Sequence, residues 1–136
     1  MRFELVAAYV MGVALPLLEV LRRRTNFETV SGYVDDFIAG GLLLYAARAV
    51  SRRKAGGPVL LVVAWAVLCG GLYGSFFRQL EHGASHDVSG LATATVVLVK
   101  GVLYAIALTG LALSVRTAVA SKGAGGGSAE ERSRRV

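Results

Sequence analysis

Between Phe3 and Val115 the chain consists of long apolar stretches closed by basic residues: Arg22-Arg23-Arg24, then Arg52-Arg53-Lys54, then Arg116. No other feature restricts the fold as much. A helix needs about 20 predominantly apolar residues to cross the hydrocarbon core. It is also the one open-ended structure that satisfies every backbone N–H and C=O within itself there. The first stretch, FELVAAYVMGVALPLLEVL, runs from Phe3 to Leu21. The second ends at Val50. The third begins at Pro58, a favoured first helical position, and runs through PVLLVVAWAVLCGGLYGSFF to about His82, with Gly83 as C-cap. The fourth runs from about Leu91 to Val115, with Asp87 or Ser89 as N-cap.

These signals predict helices over 3–22, 26–51, 58–82 and 88–117. Short connections between them make neighbours antiparallel. The expected fold is therefore an all-α membrane protein, an up-down-up-down bundle of four transmembrane helices forming one domain over 1–120. The remainder, SKGAGGGSAEERSRRV from Ser121, is Gly-rich and charged; it buries too little apolar surface to order itself and is predicted to be disordered.

Composition supports the same class. Of 136 residues, 54% are hydrophobic and 18% charged, with mean hydropathy +0.57, which leaves no room for a soluble catalytic domain. The formal net charge of +6 does not indicate nucleic acid, because the basic residues sit at the ends of apolar segments. There they contact anionic lipid and set topology, so the bilayer is the first expected partner. The single cysteine, Cys69, lies in an apolar run and reads as a small buried hydrophobe without a disulfide. The first segment is expected to be retained rather than cleaved: Arg2 alone precedes it, Glu4 interrupts the positive region, and no small-x-small site follows.

An N-in, C-in arrangement places Arg2, Arg48, Arg52, Arg53, Lys54, Arg116 and the basic tail on the cytoplasmic side. It leaves Arg22, Arg23, Arg24 and Arg78 outside, which the positive-inside rule favours, although the first helix alone prefers the reverse. The Ala/Val/Gly/Arg-rich composition suits a bacterial cytoplasmic membrane.

The stretch YVDDFIAGGLLLY places Asp35 and Asp36 inside the second apolar segment. Thr25-Asn26-Phe27-Glu28 matches a capping box, so the second helix is expected to start near Asn26. Both aspartates then lie roughly 14 Å from its outer end. Lys100, in ATATVVLVKGVLYAIALTG, is about as deep in the fourth helix. A lysine at the membrane centre costs about 2.5–3.5 kcal/mol on insertion scales, so it faces a bundle interior and a partner. Adjacent helical positions diverge by about 100°, so Asp35 and Asp36 cannot point the same way. Asp35 shares a stripe with Glu28, Ser31 and Leu42, and Asp36 one with Thr29, Gly32, Ala39 and Gly40. Glu19, three residues after Pro16, either joins this level or pairs Arg22 or Arg23 on its own helix.

The third loop holds a second constellation, His82 and His86 four residues apart, with Glu81 and Asp87 beside them. That spacing places two imidazoles on one helical face for a divalent metal, but Gly83 is expected to end the helix between them. No other cofactor is expected. Ala39-Gly40-Gly41 and Gly70, Gly71 and Gly74 supply small-xxx-small faces for close packing within the bundle or in a homodimer. Tyr9, Trp65 and Tyr104 read as packing or lipid contacts.

Three function classes follow. One is a small carrier coupling protons or a cation through Asp35, Asp36, Lys100 and Glu19. The second is a structural or assembly subunit whose buried charges only specify helix pairing. The third, with the least support, is a membrane-embedded metal enzyme using the histidine pair.

Overall fold

The computed structural model describes residues 3–22, 30–82 and 93–133. The described protein is all-helical: α1 (Phe3–Arg22), α2 (Val30–Ser51), α3 (Gly57–His82) and α4 (Thr93–Ser133). Three of these helices are long and apolar enough to cross a membrane, over Phe3–Leu21, Gly57–Arg78 and Ala94–Ser121. The fourth, α2, carries Asp35, Asp36 and Arg48 and does not reach that apolar character over its described length. The capping box expected to start it lies outside the described residues, as do Gly83, Asp87 and Ser89.

The tail departs from expectation. Where the sequence predicts disorder from Ser121, the α4 backbone continues as helix to Ser133. A running helix extends without a new nucleation cost, and Ala118, Ala120, Ala124 and Ala129 favour extension. The glycines at 123 and 125–127 oppose it by about 1 kcal/mol each, which is why composition alone argues against a helix there.

The helices pack in a ring, α1 on α2, α2 on α3, α3 on α4, with α1–α4 the sparsest seam. Neighbours run antiparallel. On α1 and α2, Gly12 meets Gly40 and Leu44 while Gly40 meets Gly12 and Pro16; on α3 and α4, Trp65 meets Gly110 and Phe76 meets Gly101. The α2–α3 turn explains its own tightness. Arg53 adopts a positive φ of 52°; its N–H bonds to Val50 O at 2.9 Å, and Lys54 N–H bonds to Ala49 O at 3.0 Å. This is a Schellman C-cap with arginine at the left-handed position glycine usually takes. Gly56, at φ +81°, then accepts the first α3 hydrogen bond, from Leu60 N–H at 2.9 Å, so α3 starts one residue before Pro58. Gly57 lies so close to α2 that a Cβ there would sit 3.0 Å from Val50 N.

The core is built from small side chains. Ala8, Ala46, Ala47, Ala64 and Ala107 are fully buried around Leu43 and Trp65. Among apolar lipid chains no hydrophobic force drives helices together, so close backbone approach and van der Waals packing must do so, and alanine and glycine permit it. The outer surface is apolar, with Val10, Val13, Leu17, Ile38, Leu98 and Val119 all exposed. A surface of that kind, on helices of that length, belongs in a membrane. Cys69 is buried and free. Tyr104 stacks on Phe76 with ring centroids 6.2 Å apart, and Tyr9 shares a 3.3 Å hydrogen bond with Ser51 Oγ.

Candidate buried charge site

The end of the bundle opposite the α2–α3 turn carries ionisable side chains on all four helices, Arg78 and Glu81 being those of α3, and helical phase fixes which way the others face. On α1, Met11, Leu15 and Glu19 follow one another at four-residue spacing and are all buried, Glu19 at 8% exposure. On α2, Asp36 precedes Leu43 by seven residues and Ala47 by eleven; both are fully buried, so half-buried Asp36 stands on the inward stripe. Asp35, about 100° away, is exposed. On α4, Lys100 lies four residues after buried Val96 and seven before fully buried Ala107, and is half-buried on the inward stripe.

Their levels follow from the helix contacts. Starting from the Gly40–Pro16 contact, Glu19 is three residues onward on α1, about 5 Å along the axis. Asp36 is four residues back on α2, about 6 Å in the same direction. The two carboxylates thus share a level across the α1–α2 seam. Lys100 Nζ donates to Ser75 O across the α3–α4 seam at 3.5 Å, a long and weak hydrogen bond. Ser75 is about 27 Å along α3 from Gly57, which touches Ala49 and Val50; Asp36 is about 20 Å from the same contact along α2. Lys100 Nζ is therefore anchored about 7 Å, somewhat more than one helical turn, beyond the level of Asp36. Glu19, Asp36, Arg78 and Lys100 are each engaged by a polar, ionic or ring contact, so none is a free charge.

Glu19 was expected either at this level or paired on its own helix. Its burial and stripe favour the inward position, while the Arg22 side chain and Arg23 lie outside the described residues. The metal constellation is similarly cut: His86, Asp87 and the His82 side chain lie outside the described residues, and Glu81 is exposed. Among the described residues no group of three or more His, Cys, Asp or Glu could hold a metal ion. Of the glycines expected to pack helices, Gly40 does so against Gly12. Gly41, Gly70, Gly71 and Gly74 have open space where a side chain would project.

Sequence reasoning missed a polar group at the other end. Glu4 is buried at 6% exposure, and Thr117 Oγ1 donates to its Oε1 at 3.2 Å, joining α1 to α4. The signal was present: Glu4 leads the same stripe as Ala8, Met11, Leu15 and Glu19, at four-, seven-, eleven- and fifteen-residue offsets. No family model, curated protein or solved structure matches the chain.

Proposed function

We propose that the chain is a four-span membrane protein, N-in and C-in in a bacterial cytoplasmic membrane. In this reading it couples the movement of protons or a small cation through Glu19, Asp36 and Lys100. Asp35 stands at the edge of that site. The observation that carries the reading is Glu19 and Asp36 at one level on the inward stripes of adjacent helices. Carboxylates held on the inward stripes of two adjacent helices suit a bound cation or a shared proton. Ionisable groups inside a membrane are expensive, and alanine and glycine contacts suffice for packing alone. The test is proton flux into liposomes holding the full chain, driven by a potassium diffusion potential and read with an internal pH dye. Asp36→Asn is expected to cut the flux at least tenfold while insertion and melting temperature hold. Unchanged flux in Asp36→Asn, or no flux above empty liposomes in the wild type, overturns the reading.

A structural or assembly role is the second reading, and the engagement of Glu19, Asp36, Arg78 and Lys100 by contacts favours it. Here the charges specify which helices pair. The open glycines Gly41, Gly70, Gly71 and Gly74 would then give a second copy its contact surface. Cysteines introduced at 70 and 74 in a Cys69→Ala background should crosslink between copies under this reading.

A further inference from the structure

We infer that α3 and α4 enclose a hydration site, with Trp65 Nε1 and Ser114 Oγ holding one water molecule and Thr117–Glu4 forming its route to the α2–α3 turn end. Trp65 is 0% exposed and Ser114 1%, and neither polar atom has a hydrogen-bond partner among the described residues. Buried polar groups are nearly always paired, so two such atoms on one interface point to a ligand. The position is narrow. A Cβ at Gly110 would stand 2.6 Å from both Cε2 and Cζ2 of the Trp65 ring, and Nε1 is bonded to that Cε2. Ser114 is one turn further along the same face of α4.

The chemistry selects the ligand. An indole N–H only donates, so the ligand must accept, which excludes a metal cation. The serine hydroxyl both donates and accepts, and a single water can serve both groups. The hydroxyls of Ser51 and Thr109 turn back onto their own helices, Ser51 Oγ to Ala47 O at 2.9 Å and Thr109 Oγ1 to Ala105 O at 2.9 Å. Ser114 makes no such bond. Three residues beyond it Thr117 donates to Glu4 across the sparsest seam of the ring, which gives water a polar way in. The inference does not rest on the transport reading, whose residues lie at the other end.

Trp65 is the only tryptophan, so one indole N–H resonance reports the site. The full chain with nitrogen-15-labelled tryptophan, in lipid nanodiscs, should show magnetisation transfer from water to that N–H. Ser114→Ala should shift the resonance and reduce the transfer at least twofold, and Ser114→Cys, closer in volume, should do the same. Thr117→Val should slow exchange into D2O several-fold, and Val115→Ala on the exposed face should change neither property. No transfer in the wild type, or an unchanged resonance and transfer in both Ser114 variants, overturns the site. Unchanged exchange in Thr117→Val overturns the route.

Discussion

At Gly110 one absent methyl group decides how α3 sits on α4. The Trp65 ring occupies the space a side chain would need, and a rigid ring in a filled core cannot swing aside as a leucine terminus can. Gly110→Ala should therefore destabilise the protein by about 1–3 kcal/mol, the usual range for overpacking. Gly41→Ala, which meets nothing within 4 Å, should instead stabilise it by up to about 1 kcal/mol through helix propensity. Thermal denaturation of both variants in the same detergent checks the contrast. Asp35 and Asp36 show the same sensitivity in another form. They are chemically identical neighbours, yet one is exposed and the other half-buried on the stripe of Leu43 and Ala47. Asp35→Asn should accordingly reduce proton flux less than Asp36→Asn; equal losses would mean that burial does not distinguish them.

Among the elements, the α2–α3 connection gives the sharpest prediction. Its Schellman hydrogen bonds require a left-handed residue, and Arg53 holds that conformation with a Cβ in place. Arg53→Gly keeps both bonds and removes the steric cost, so it should stabilise the protein by about 1 kcal/mol and raise the melting temperature. Gly57→Ala should act in the opposite direction, because its Cβ would press on α2 backbone that cannot move independently. For α2 itself, Asp35, Asp36 and Arg48 make it the least membrane-like of the helices. Its place between α1 and α3 in the ring follows from the Gly12–Gly40 contact and the short turn to α3. The extension of α4 to Ser133 is likewise a property of the element, since propagation from a folded span needs no nucleus.

For the whole molecule, the question is whether the charges position helices or move ions, and a charge exchange separates the two. If they only position helices, combining Asp36→Lys with Lys100→Asp should recover the melting temperature that either change alone lowers. If they couple ions, the exchange should leave proton flux at least tenfold below wild type whatever the stability. The apolar segments, their lengths and the alternation of helices with basic ends were legible in the sequence, because segment hydropathy and helical period are properties of consecutive residues. That Lys100 and one of Asp35 and Asp36 need an interior followed from the cost of a bare charge in lipid; which aspartate it is did not. Which interior each reaches did not follow. Whether Glu19 turns inward, which glycines meet a neighbour, and that Glu4 finds Thr117 depend on register between helices. Register is set by contacts between residues distant in sequence, such as Gly12 with Gly40 and Trp65 with Gly110, and only the packed tertiary structure decides it.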